Sequence, residues 1–182
     1  MRTIVVVDYD PAWPEVFQQL RLKIWPLVSD FALSVEHVGS TAVLGLAAKP
    51  IIDLSIVVAA EPEIPFVVER LATIGYLHCG NLGIEGREAF QSPAGLPEHH
   101  LYACPYDSPG LQNHLAVRDY LRSHSEMAQA YGDLKKRLAR EYPHDIGSYV
   151  AGKTDFLLEV LRSAGLPADQ LKAIEIANRK RT

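Results

Sequence analysis

Hydrophobic and polar positions along the chain follow two periods, one typical of strands and one typical of helices. Polar and apolar residues alternate over 33–38, whereas 51–58 is an almost unbroken apolar run that Asp53 interrupts. Alternation indicates a strand buried on one face, and a continuous apolar run indicates a strand buried on both. Turns rich in glycine and proline frame further short strands, which we predict at 1–7, 76–79, 88–92 and 99–104.

Apolar residues at helical spacing predict the remaining elements. From residue 111 onward this spacing dominates, so the second half of the chain is expected to be helical. The predicted helices are one capped by Asp10, one at 61–74 that ends at Gly75, a pair that separates near 123–125, one at 145–164 and one after Pro167.

These elements predict an α/β (α+β) fold in which a mixed sheet with flanking helices is followed by a helical C-terminal half. We expect a single domain over 1–182, with an α/β half at 1–110, a helical half at 111–166 and a peripheral C-terminal helix or tail at 167–182. No internal repeat or low-complexity block interrupts this order.

Composition narrows the class of protein. The chain has 182 residues, 48% of them hydrophobic, but no window of about 18 apolar residues that would span a membrane. Residues 1–7 lack the apolar core of a signal peptide, and two isolated cysteines fit a reducing compartment, so a cytoplasmic protein is predicted. The net charge of −4 argues against broad nucleic-acid binding. Whether the chain forms a homodimer stays open.

A Gly-Ser-Thr turn follows the strand at 33–38. Gly39 can adopt backbone angles that other residues avoid, and its missing side chain lets a ligand approach the backbone. Ser40 and Thr41 follow it where a helical turn begins, and the N–H groups at such a place favour phosphate. Gly39, Ser40 and Thr41 are therefore the predicted phosphate seat.

Asp53 is the second candidate, because an unpaired carboxylate in a buried strand is costly. Such an acid usually meets a cation, a metal ion or several hydrogen-bond donors. Ser55 shares its face, since side chains alternate along a strand.

The order of these motifs matches a known family. The matching blocks are Tyr9–Pro14, His37–Val43, Gly45–Asp53, His99–Leu101, His114–Arg122 and Tyr149–Phe156. With them the sequence resembles the GrpB family of the nucleotidyltransferase superfamily. Domains of this family occur alone and, in some bacteria, fused behind dephospho-CoA kinase.

The resemblance implies a nucleotide or other phosphorylated small molecule as ligand, and Mg²⁺ or Mn²⁺ as cofactor. Active nucleotidyltransferases hold two Mg²⁺ ions with an Asp-x-Asp pair and a third acid, but Ser55 replaces the second acid of the pair here. Glu36 and Glu98 are further acids near the site, and Glu98 is the better candidate for a replacement ligand.

Three functions stay open at this point. The first is metal-dependent transfer of a nucleotidyl group, with Asp53, Ser40 and Lys153 as catalytic residues. The second is a non-catalytic nucleotide- or partner-binding module linked to coenzyme A metabolism. The third, weaker, is a metal-dependent phosphohydrolase that uses Asp53 and His100.

Further cations and histidines complete the predicted site. Asp53 and His100 are the predicted metal ligands, although a hydrogen-bonded imidazole explains His100 as well. Lys49, Arg118 and Lys153 would meet the remaining phosphate charge, and His114 lies one helical turn before Arg118. Ordinary surface solvation, or packing of the lysine stem, is the alternative for these side chains. His37 could contact either Asp53 or a phosphate.

Residues 147–154 also satisfy the P-loop pattern. A P-loop must follow a buried strand and open a helix, whereas the residues before 147 are polar and helix-like. We therefore predict that this segment is not a P-loop.

Overall fold

A computed structural model describes residues 3–179, with side chains up to residue 176. Its elements run, in chain order, α1 Trp13–Val28, β1 Ala32–Val38, β2 Ile52–Val58, α2 Ile64–Ala72, β3 Leu77–His78, β4 Glu88–Gln91, β5 His99–Pro105, α3 Pro109–Ser123, α4 Ser125–Glu141, α5 Ile146–Ala151, α6 Thr154–Ser163 and α7 Ala168–Arg179. The predicted α/β fold is confirmed. The predicted tail at 167–182 is described only as far as α7.

The five strands form one mixed sheet in the order β1-β2-β5-β4-β3. The β2–β5 pair is parallel and the other pairs are antiparallel. Asp53 is paired with Val38 on one side and His100 on the other. Paired residues point to the same face of a sheet, so these three side chains form one row across it.

Helices cover the two faces of the sheet differently. On one face the ring of Phe17 in α1 stacks on His37, with 4.6 Å between ring centroids. On the face of Asp53, Leu111 and Leu115 of α3 pack against Val57 and Cys104. At the end of that face where Asp53 lies, the side chains are polar. This end is therefore the candidate functional site.

Two compact units interleave along the chain. The sheet unit consists of residues 11–42 and 51–115 and contains all five strands; the helical unit consists of the residues up to 10, 43–50 and those from 116 onward. In the helical unit, Leu46, Leu121 and Val160 share one apolar cluster. The predicted halves at 1–110 and 111–166 stay predictions.

Several local predictions are confirmed. Helix α3 ends at Ser123 and α4 begins at Ser125, where the break was expected. The segment 147–154 lies on α5 and the start of α6 and follows helix α4, so it lacks the strand that a P-loop needs. No helix within residues 3–179 has the length and apolar character to cross a bilayer.

Three local predictions are wrong. The expected strand at 1–7 is reduced, within the described residues, to one bridge between Val7 and Ala48. Helix α1 has Ala12 at its N-cap instead of Asp10, because a proline in the first turn needs no N–H partner and lets the helix start later. The helix expected at 145–164 is interrupted at Gly152, which packs so closely on Leu138 that a Cβ would lie 2.5 Å from its Cδ2.

Candidate functional site

The turn after β1 brings the backbone of Gly39 against the carboxylate of Asp53. Gly39 has φ of +72°, and a Cβ built on it would lie 2.3 Å from Asp53 Oδ2. Only glycine fits a position with both restrictions. The first two predicted features, the Gly-Ser turn and the buried-strand acid, therefore meet in one place.

The next two residues of the turn differ in their surroundings. Ser40 is half-buried beside Gly39. Thr41 is only 2% exposed, and its Oγ1 lies 3.0 Å from Nε2 of His37. Their phosphate-binding roles stay predictions, and the hydroxyl of Thr41 already has a partner.

Asp53 and His100 form a direct pair across the parallel strands. His100 Nδ1 lies 2.8 Å from Asp53 Oδ1, and the two side chains are 46% and 28% exposed. Since β2 and β5 are neighbours in the sheet, residues 47 positions apart in sequence become adjacent. The two residues predicted as metal ligands are thus brought together.

Two other histidines belong to the opposite face. The Nε2 of His37 contacts Thr41, and its ring stacks on α1, so it is placed away from Asp53. His99 lies 2.7 Å from the hydroxyl of Tyr76 through Nε2 and 2.6 Å from the carbonyl of Pro97 through Nδ1. Burial lowers the pKa of His99 and raises the pKa of Tyr76 to about 12.

A second row of the sheet lies beside the Asp53 row. Ser55 is paired with Glu36 on β1 and Tyr102 on β5. It is fully buried, and its Oγ has no hydrogen-bond partner in the described chain. Glu36 accepts a hydrogen bond from Ser34 Oγ at 2.9 Å. A carboxylate of the neighbouring strand therefore lies across from the position where the second acid is missing.

The donor set limits which metal site could form. Among residues 3–176, no group of three or more His, Cys, Asp or Glu side chains is arranged to hold a metal ion. Mg²⁺ is usually held by one or two carboxylates together with substrate phosphates. Asp53 thus fits an ion shared with a phosphorylated ligand, whereas the imidazole of His100 suits transition-metal ions better than Mg²⁺. The pair does not fit a closed protein site or a two-metal site.

Two further side chains, Tyr102 and Arg87, lie near this pair. The ring centroid of Tyr102 lies 6.3 Å from those of both His100 and His114, and the guanidinium carbon of Arg87 lies 4.4 Å from the Tyr102 ring. Burial lowers the pKa of His114; the charge of Asp53 acts in the opposite direction, and that of Arg87 in the same one. His114 therefore presents a neutral imidazole at neutral pH. Alternation along β4 and β5 indicates which side chains share a face. The register between the two strands, which brings Arg87 to Tyr102, is not visible in the sequence.

The three predicted cations belong to the helical unit. Arg118 Nε donates to Asp119 Oδ1 at 2.7 Å. Lys153 precedes α6, with its ammonium 4.4 Å from the centroid of Tyr149. Lys49 follows the Val7–Ala48 bridge and is half-buried. Their phosphate-binding roles stay predictions, whereas Gly39, Ser40, Thr41, Asp53, His100 and His114 all lie in the sheet unit.

Comparison with known proteins places these features in a family. A family model described as GrpB protein matches residues 3–163. The chain is 33% identical over 156 residues to the UPF0157 protein YqkA of Bacillus subtilis, covering 86% of this chain and 46% of that protein. It is 31% identical to the glutamate-rich protein GrpB of Alkalihalophilus pseudofirmus, covering 87% and 94%. The chain thus spans about half the length of the first of these relatives and nearly all of the second.

Solved structures agree with this assignment. The crystal structure of GrpB from Enterococcus faecalis has a TM-score of 0.79 and 34% identity, covering 88% of this chain and 96% of that one. A structure of the Cid1 poly(U) polymerase bound to MgATP has a TM-score of 0.57 at 12% identity, covering 84% and 50%. At that identity the likeness shows the fold alone, and the fold is that of a nucleotidyltransferase. The predicted family resemblance is confirmed.

Proposed function

We propose a function from the premise that this chain belongs to the GrpB family: it binds a nucleotide through its phosphates and a divalent cation at the turn after β1. The observation that carries the proposal is the contact between Gly39 and the Asp53 carboxylate. It puts the Gly-Ser turn, whose N–H groups would donate to phosphate oxygens, beside an acid that could hold the counter-ion. The nucleotidyltransferase fold supports the same ligand class.

Each side chain of the site has a distinct part in binding. The hydroxyl of Ser40 would donate to a phosphate oxygen next to the half-buried backbone of Gly39. Asp53, with His100 beside it, would hold Mg²⁺ or Mn²⁺, and the ion would supply positive charge to the phosphate oxygens. His114, whose ring centroid lies 6.3 Å from that of Tyr102, would contact the ligand from α3. Transfer of a nucleotidyl group to a hydroxyl or amine is the reaction that this set would serve.

Ser55 favours a second candidate function. A fully buried serine at the position of the second acid removes a ligand that two-metal transfer needs. The site would then bind a nucleotide without reacting. The chain is also 27% identical over 186 residues to dephospho-CoA kinase of Mycolicibacterium paratuberculosis, of which it covers 45%. A binding module linked to coenzyme A metabolism is therefore the alternative.

Calorimetric titration tests the proposed ligand. Each nucleoside triphosphate and dephospho-CoA is titrated with and without Mg²⁺ or Mn²⁺. We expect at least one to bind only with the cation, and Asp53→Asn to weaken that binding by about tenfold or more, the effect of losing roughly 1.4 kcal/mol. Asp30→Asn, an exposed acid before β1, is the matched control and should bind as the parent does.

Two readouts decide between the candidates. Release of pyrophosphate in the same mixtures, on addition of hydroxyl and amine acceptors, indicates transfer; cation-dependent binding without release indicates a module. Absence of binding for the whole panel, or full binding in Asp53→Asn, contradicts the proposed site.

A further inference from the structure

A cleft lies at the other end of the parallel strand pair from Asp53. It has a volume of about 520 Å³ and is lined by residues that follow β2 and β5, such as Glu61 and Ser108, and by Arg87 before β4. The volume is in the range of about 300–1,000 Å³ that small-molecule sites occupy.

Arg87 is a buried cation of this cleft. It is 8% exposed, and its Nε has no hydrogen-bond partner in the described chain. Its guanidinium rests on the ring of Tyr102 and forms no ion pair with a described carboxylate. A buried charge without a counter-ion is costly, so this arrangement points to an anionic group that arrives with a ligand. The planar fork of a guanidinium suits a carboxylate.

The remaining charges of the cleft have the opposite sign. Glu61, Glu85 and Asp107 also line it and are exposed, whereas Arg87 is buried. Glu88 is half-buried and pairs with His78 at 2.6 Å. A ligand with negative charge alone would be repelled by the exposed carboxylates. A ligand that also carries an ammonium group would be attracted to them.

We propose that this cleft binds a small zwitterion of the α-amino acid class. The carboxylate of the ligand pairs with Arg87, and its ammonium group faces Glu61, Glu85 and Asp107. The lining of the cleft includes neither Asp53 nor His100, which lie at the opposite end of β2 and β5, although the guanidinium of Arg87 also contacts the ring of Tyr102 beside His100. The inference does not depend on nucleotide binding.

Thermal shift and calorimetry with each of the twenty L-amino acids test the proposal. For the best binder, the N-acetyl derivative and the amide remove one charge each. We expect each modification to weaken binding by about tenfold or more, a change of roughly 1.4 kcal/mol. Equal binding of either derivative, or of acetate alone, contradicts a zwitterion site, and so does a lack of binding by all twenty.

Substitutions separate ligand binding from folding. Arg87→Met should abolish binding while the melting temperature stays equal or rises, because a buried unpaired charge is removed. Arg70→Met is the matched control: this exposed arginine also covers a ring, Phe31, and its loss should leave binding unchanged. If Arg87→Met does not fold, Arg87→Lys decides, since it keeps the charge but not the fork. Unchanged binding in either folded Arg87 variant overturns the proposal.

Discussion

The backbone conformation of Gly39 and the position of the Asp53 carboxylate depend on each other. An alanine there must adopt φ of +72° and push its Cβ toward Asp53 Oδ2. Left-handed backbone costs other residues about 1–2 kcal/mol, and displacement of the carboxylate adds to it. We expect Gly39→Ala to lower the free energy of unfolding by about 2 kcal/mol or more and to weaken cation-dependent nucleotide binding. Urea denaturation and calorimetry measure the two effects.

Gly80 provides the matched control for this prediction. It has φ of +70° in the same unit, but a Cβ there would meet nothing within 4 Å. Gly80→Ala should lose about 1 kcal/mol from backbone strain and keep ligand binding. Equal losses of stability and binding in the two variants would show that the contact with Asp53 has no effect of its own.

Single residues were predictable where local chemistry decides their position. Gly39 and Asp53 were found because a turn glycine and an acid in an apolar run are local signals. Arg87 was missed, since its neighbours come from strands whose register the sequence does not reveal. The sequence also did not decide whether His37 faces Asp53 or the opposite side of the sheet. Alternation tells which residues share a face, but not which face α1 covers.

At the scale of elements, the break between α5 and α6 coincides with a close contact of Gly152. The apolar spacing continues through 145–164, so periodicity alone predicts one helix. Contact between Gly152 and Leu138, a residue of the preceding helix α4, is not visible in that spacing. Strand order could not be predicted for the same reason: β5 enters between β2 and β4, far from its neighbours in sequence.

Two glycines of the helical unit should respond to alanine in opposite directions. At Gly152 the new Cβ would lie 2.5 Å from Leu138 Cδ2, so we expect a loss of about 1–3 kcal/mol from overpacking. At Gly132, inside α4, the closest contact would be 3.4 Å, and alanine should gain up to about 1 kcal/mol from helix propensity. Chemical denaturation of both variants measures the difference. Stabilisation by Gly152→Ala would contradict the packing explanation.

At the scale of the whole molecule, buried titratable groups set the pH range of stability. The pKa values of His99 and His114 lie below the ordinary 6.5, so below that pH the unfolded chain binds more protons than the folded one. Burial raises the pKa of Tyr76 and Tyr149 from 10.0 to about 12 and the pKa of Cys104 from 9.0 to about 11, so between these values the folded chain binds more protons. The free energy of unfolding should therefore fall as pH drops below 6.5 and again as it rises from 9 to 12.

Urea denaturation at a series of pH values checks both limits. Each tyrosine contributes about 2 kcal/mol to the alkaline loss by linkage. Tyr149→Phe should remove about 2 kcal/mol of that loss, since Tyr76 and Cys104 remain. A free energy of unfolding that stays constant from pH 10 to 12 in the parent chain would contradict the buried state of both hydroxyls.

The interleaving of the two units along the chain limits how recombination can change this protein. The chain passes from one unit to the other after residues 10, 42, 50 and 115. A recombination point anywhere within 11–115 therefore splits both units at once. Evolution can attach this module to other proteins or lose it entire, but it cannot exchange one unit for another by a single crossover.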